Sequence, residues 1–192
     1  MEIVKLKRLN ENVIKDWGHN GYVTRQVYEV VQTTDPNNDL IFKFTKVDRE
    51  YIKNWETSSE NIREYNEIIK EGHSFGAFDN DKLIGMIICE SREWNNTLFI
   101  ENILVAEKYR GKKVGKKLIE KIIAYHKTNG FRLIELETQN TNVPAIDFYL
   151  KQGFNITGIN LKLYDDSIEK EVAFFMTYEN PGSHKSNFFT PS

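Results

Sequence analysis

Two stretches of this chain hold the residues best suited to chemistry. One is a basic, glycine-bearing turn, Tyr109-Arg-Gly-Lys-Lys-Val-Gly115; the other runs from Glu137 to Phe154 and carries Asn142 and Tyr149. The turn leads into a segment of helical periodicity, so its N–H groups stand unpaired at the positive end of a helix dipole. Gly111 and Gly115 present no Cβ to hold an anion away from the backbone. Lys108, Arg110, Lys112, Lys113, Lys116 and Lys117 gather there, although the chain as a whole has 26 basic against 28 acidic residues. Such a turn suits a diphosphate carrying a further phosphate, although a solvated lysine-rich helix face would look similar if the turn stood alone. The Gly-Lys-Ser/Thr run of a P-loop is missing, which excludes that kind of nucleotide site. Glu137 and Tyr149, twelve positions apart, are residue types able to accept and to donate a proton.

The elements that must position these residues follow from periodicity and turn signals. Residues 22–33 and 39–47 read as strands around Asp35-Pro-Asn-Asn38, and residues 49–71 as a helix interrupted near Ser58-Ser59. In that helix Trp55, Ile62, Tyr65, Ile68 and Ile69 are expected to face the core. Three strands in a meander follow at 74–78, 82–90 and 97–105, the second so continuously apolar that it should lie centrally in its sheet. From Val114 the spacing of Val114, Leu118, Ile119, Ile122 and Ile123 becomes helical, and Asn129-Gly130 closes that helix. A strand at 131–138 comes next, then a helix with Pro144 in its first turn that ends before Gly153. Strands near 154–164 and 170–179 complete the order. The expectation is an α/β fold with a mixed, mostly antiparallel central sheet flanked by helices. It predicts a single domain over residues 1–180 and an irregular tail over 181–192.

Composition narrows the function classes. With 40% hydrophobic and 28% charged residues the chain has the balance of a globular protein. A net charge of −2 gives no whole-protein case for nucleic acid. Cys89 is the only cysteine and lies in an apolar run, so it reads as an inert core thiol in a cytoplasmic protein. No run approaches a membrane span. The four histidines are scattered without ligand spacing, which predicts no metal site, and His126 is expected on the solvated side of its helix.

The run Asn142-x-x-Ala145-x-x-Phe148-Tyr149-x-x-x-Gly153-Phe154 and the turn at 110–115 resemble the two cofactor-binding motifs of the GNAT N-acetyltransferases. The family's turn reads Arg/Gln-x-x-Gly-x-Gly/Ala, and this chain has Lys113 where the first of those two glycines usually stands. The resemblance implies the GNAT fold and acetyl-CoA as co-substrate. It implies main-chain contacts from Ile103, Leu104 and Val105 to the pantetheine arm, on a strand that splays from its neighbour. It further implies phosphate contacts over Arg110, Gly111, Lys112, Lys113, Val114, Gly115 and Lys116, and a pantetheine contact from Asn142. Tyr149 matches the tyrosine that bonds the CoA sulfur and acts as general acid. Glu137 matches the proposed base of ribosomal-protein N-terminal acetyltransferases, with Glu101 as the rival base or as a holder of a second substrate ammonium.

Within the family the chain is most similar to streptothricin acetyltransferases, through Ile100–Ile103, Leu136–Gln139, Phe148-Tyr149, Leu163-Tyr164 and Glu169–Tyr178. That resemblance implies a small cationic amine as acceptor. A protein, peptide or polyamine acetyltransferase is the alternative, and a non-catalytic acyl-CoA-binding sensor is the alternative from another class. Glu56, Glu60, Glu64, Glu67 and Glu71 form an acidic stripe that either borders the acceptor cleft or is a solvated helix face. Trp94 is a candidate for the cleft lining. A monomer or a homodimer is expected, with Phe188-Phe189 a candidate contact.

Overall fold

Seven strands form one sheet in the order β1-β4-β5-β6-β7-β9-β8, and a long hairpin, β2–β3, stands as a separate two-stranded sheet. The computed structural model describes residues 1–10, 12–37, 39–165 and 171–180. The strands are β1 (Glu2–Lys5), β2 (Gly21–Thr34), β3 (Leu40–Asn54), β4 (Phe75–Asp79), β5 (Lys82–Arg92), β6 (Thr97–Val105), β7 (Leu133–Gln139), β8 (Asn155–Asn160) and β9 (Ala173–Tyr178). Three α-helices accompany them: α1 (Ser59–Ile69), α2 (Val114–Asn129) and α3 (Val143–Lys151). The β6–β7 pair is parallel and the other described pairs are antiparallel, which is the mixed, mostly antiparallel sheet expected.

Strand β5 explains how the sheet is covered. Ile87 and Cys89 point into one cluster with Leu118, Ile119, Ile122 and Tyr149, while Met86 and Ile88 point into another with Leu9, Trp17, Ile62 and Ile69. An apolar run on both registers of a strand is what burial on both faces requires. Helices α2 and α3 therefore lie on one face, and α1 with the N-terminal segment on the other. Cys89 is fully buried, and that burial raises the pKa of its thiol.

The helix expected over 49–71 is a correction. Strand β3 continues through Asn54, with Tyr51 and Lys53 on its inner side and Ile52 outward, and pairs with Gly21–Thr24. Helix α1 begins at Ser59, after Ser58 and Asn61 form a reciprocal capping box. The charged run Asp48-Arg-Glu50 hid the strand, since this stretch of hairpin shows one side to solvent and lacks a strongly apolar alternation. Trp55 accordingly leaves the core and leans on Tyr22, with ring centroids 5.4 Å apart. Strand β1 escaped notice for a similar reason: it is a four-residue edge strand with almost no buried side chain.

His126 is a second correction. It lies on the buried side of α2, fully enclosed, with its ring edge-on to Tyr178. Burial lowers its pKa, so it sits there as neutral imidazole. The strand expected near 154–164 ends at Asn160, and a turn follows. The predicted tail over 181–192 and Phe188-Phe189 fall outside the described residues.

Candidate active site

Strands β6 and β7 run side by side only from Thr97/Leu133 to Ile100/Leu136, although β6 continues to Val105 and β7 to Gln139. Beyond that point they diverge. On the other side, the β5–β6 register slips at Glu101, which stands as an extra residue between Ile100 and Asn102. A bulge of this kind bends a strand and re-aims a side chain. The divergence opens a cleft of about 1020 Å³ whose walls include Ile103, Leu104 and Val105. Parting the strands frees the main-chain groups of β6 that would otherwise pair with β7.

The basic turn borders the cleft. Arg110, Gly111, Lys113, Val114, Gly115 and Lys116 line it. Lys112 does not; its ammonium lies over the Tyr109 ring, 5.4 Å from the centroid. The first hydrogen bond of α2 runs from Lys117 N–H to Lys113 carbonyl, which leaves the N–H groups of residues 114–116 without intrahelical acceptors. Lys113 is the residue before the helix and takes a left-handed conformation, φ 64° and ψ 11°. Glycine takes that conformation freely, whereas a lysine there costs about 1–2 kcal/mol. Gly111 has φ +72° with open space around it. The Arg110 guanidinium is occupied within the protein: Nε donates to the Val105 carbonyl at 3.1 Å, and Nη2 to the His19 carbonyl at 2.5 Å. Arg110 thus ties the turn to β6 and to the N-terminal segment. Backbone N–H groups and the Lys113 ammonium remain for an anion, with the Lys116 ammonium beside them in an exposed pair with Glu120 at 3.6 Å, so the turn fits a pyrophosphate.

Asn142 is the N-cap of α3, its Oδ1 accepting from Ala145 N–H at 3.3 Å, and it also lines the cleft. Pro144 in that first turn has no N–H to satisfy. One turn further along α3, Tyr149 reaches the same cavity where the strands part. Its ring packs against Phe148 and Phe154, and its hydroxyl makes no hydrogen bond among the described residues. Burial, followed by the neighbouring Cys89 and Glu137, raises its pKa, so it stays protonated.

Much of the remaining lining is anionic and aromatic. Glu137, Glu101 and Glu56 line the cleft with Tyr22, Trp55 and Tyr65. Glu135 and Glu137 share one face of β7, as alternation predicts, but only Glu137 enters the cleft; Glu135 pairs with Arg92 at 3.5 Å. Glu137 accepts a hydrogen bond from the Tyr164 hydroxyl. Burial raises the Glu137 pKa, the Tyr164 bond opposes that, and Glu101 and Glu171 add to the rise. Glu101 is also raised, mainly by burial and then by Glu90.

The hairpin that forms the outer wall is held at its base by a buried carboxylate. Glu171 accepts from Tyr51 at 2.8 Å, Lys53 at 2.8 Å and Thr141 at 3.2 Å, and Thr141 bonds Tyr22 at 2.6 Å.

The acidic stripe divides. Glu56 borders the cleft, whereas Glu60, Glu64 and Glu67 are exposed on α1. Trp94 is 84% exposed in a turn away from the cleft. Sequence reasoning missed Tyr22 and assigned no role to Tyr164. The signal for Tyr164 was there, in the Leu163-Tyr164 pair, but only the fold brings it to Glu137. Among the described residues no group of three or more His, Cys, Asp or Glu side chains could hold a metal ion, and no helix is long and apolar enough to cross a membrane.

Comparison with known proteins agrees with this geometry. Residues 41–154 match the model of the acetyltransferase (GNAT) family. A streptothricin acetyltransferase of Escherichia coli is 33% identical over 156 residues, covering 77% of this chain and 89% of that protein. A crystal structure from Bacillus anthracis str. Ames, assigned as a streptothricin acetyltransferase and solved with acetyl coenzyme A, is similar at a TM-score of 0.70. It is 28% identical and covers 94% of this chain and all of its own. The crystal structure of nourseothricin acetyltransferase shares the fold at a TM-score of 0.71 and 24% identity, over 93% of this chain and 99% of that one.

Proposed function

The chain belongs to the acetyltransferase (GNAT) family and is an acetyl-CoA-dependent N-acetyltransferase; we propose that it acetylates a primary amine of a small polycationic acceptor of the streptothricin type. In this reading residues 1–180 work as one catalytic unit. The observation that carries it is the polarity of a single cleft. Lys113 and Lys116 line it together with Glu137, Glu101 and Glu56, and Tyr149 reaches the same cavity. An anionic, aromatic pocket suits an alkylammonium group. The similarity to streptothricin acetyltransferases along most of the chain supports the same acceptor class.

The chemistry supplied by the co-substrate is an activated acetyl thioester. The main-chain groups of Ile103–Val105 that pair neither with β5 nor with Arg110 hold its pantetheine arm, and the N–H groups at 114–116 its pyrophosphate. Glu137 takes a proton from the acceptor ammonium, directly or through a water. That step is needed because an alkylamine of pKa about 10.4 is only about 1 part in 2,500 neutral at pH 7. The new C–N bond forms as the C–S bond breaks, and the phenol of Tyr149 bonds the departing sulfur. Overall one ammonium and one thioester give one amide, one thiol and one proton. Glu101, at its bulge, holds a second ammonium of the acceptor.

Thiol release from acetyl-CoA, followed with streptothricin, polyamines, amino acids and short peptides, tests the acceptor class. Release with streptothricin alone is expected. Release with peptides alone would replace the antibiotic by a protein N-terminus, and release with none would leave an acyl-CoA-binding protein.

A further inference from the structure

Tyr164 does not line the cleft, yet its hydroxyl donates to Glu137 Oε1 from the loop between β8 and β9.

We propose that Tyr164 is a positioning residue for the acetyl transfer, holding Glu137 by one oxygen so that the other faces the acceptor amine. The proposal rests on the reading of Glu137 as the base. The surroundings explain why such a residue is needed. Glu137 meets Glu101 from β6, Glu171 from the segment before β9 and the Tyr149 phenol from α3, with Glu135 on the same face of its own strand. No cation is paired with the Glu137 carboxylate among the described residues. Burial and two like charges all favour the protonated acid, which is useless as a base. The Tyr164 hydrogen bond works the other way and stabilises the carboxylate form. It also fixes a side chain that would otherwise choose among rotamers at the cleft floor.

The experiment compares kcat/KM from about pH 5.5 to about pH 9 for the wild type, Tyr164→Phe, Glu137→Gln and the double variant. Acetyl-CoA binding is measured in each to show that the cofactor end is intact. Tyr164→Phe is expected to lower kcat/KM at least about fivefold at the acid end and to come within about twofold of wild type at the alkaline end. In the Glu137→Gln background the same change should have less than about a twofold effect at every pH. A loss of equal size at all pH values in both backgrounds would make Tyr164 merely structural and overturn the proposal. Wild-type rates in Glu137→Gln would instead remove the base on which it rests. An impaired Glu137→Gln with an unchanged Tyr164→Phe profile would keep that base and reject Tyr164.

Discussion

Replacing Tyr149 by phenylalanine deletes one hydroxyl and leaves the ring between Phe148 and Phe154. Since that hydroxyl has no hydrogen-bond partner among the described residues, its removal strands no polar group, and stability should hold. The size of the catalytic loss follows from acidity. A tyrosine ordinarily loses its proton near pKa 10, a thiol near 8.5. Burial raises Tyr149 further. Full proton transfer to the leaving thiolate is therefore uphill by at least about 2 kcal/mol. In the proposed reaction Tyr149 would act chiefly as a hydrogen-bond donor to sulfur as negative charge gathers there, the proton balance being completed by the amine's own protons. A hydrogen bond to a charged group contributes about 1.5–3 kcal/mol, which is about 10- to 150-fold in rate. The resting thioester sulfur is uncharged, so acetyl-CoA affinity should change less than about twofold. The assay is continuous detection of released thiol at saturating acceptor, with acetyl-CoA binding by calorimetry and a thermal melt as controls. Wild-type kcat in Tyr149→Phe would refute this role outright. A large rise in acetyl-CoA Kd with kcat retained would recast the residue as a binding contact.

Glu137→Gln is expected to lower kcat/KM about 100-fold or more at neutral pH, with the deficit shrinking as alkaline pH supplies neutral amine; an unchanged pH–rate profile would shift the role to Glu101 or to water. The same substitution should affect stability with the opposite sign. Because the folded-state pKa of Glu137 is raised, its contribution is fully present below the unfolded value and lost as pH rises through the folded one. Thermal melts should therefore show Glu137→Gln gaining more, relative to wild type, at pH 7 than at pH 4. Gly115→Ala meets only ordinary contact, Phe148 Cζ at 3.5 Å, so the melt should be unchanged or slightly higher. Its methyl group would obstruct an anion at the turn, and acetyl-CoA Kd should rise about tenfold or more, measured by calorimetry. Glu171→Ala leaves Lys53, Tyr51 and Thr141 without their shared acceptor and should cost about 2–3 kcal/mol in denaturant unfolding. It should also raise acceptor KM more than acetyl-CoA KM, because the loosened hairpin walls the acceptor end.

The cofactor end was legible in sequence because its determinants are local. A glycine-bearing turn at a helix start, a proline and an asparagine opening α3, and the change from strand to helical period each declare themselves within a few residues. Lys113 illustrates both sides. As a departure from the family pattern it was visible in the sequence, but its left-handed backbone is a property of the turn. The acceptor end was far less legible. Residues 49–54 look helical by charge spacing and become strand because they pair with Gly21–Thr24 across a long hairpin. His126 looks solvated among lysines and is buried because Tyr178 packs against it from a strand 52 residues away.

From sequence alone came the class of fold, the turn proposed to bind phosphate and the two residues, Glu137 and Tyr149, named for proton transfer. These follow from periodicity, turn chemistry and motif spacing, which act over one or two turns of chain. The tertiary structure decided which carboxylates share the cleft and which are solvated. It also brought Tyr164 to Glu137 across 27 residues and Glu171 to Tyr51 across 120. Hydrogen bonds between distant segments depend on how strands are ordered and where they part, and no local pattern encodes that.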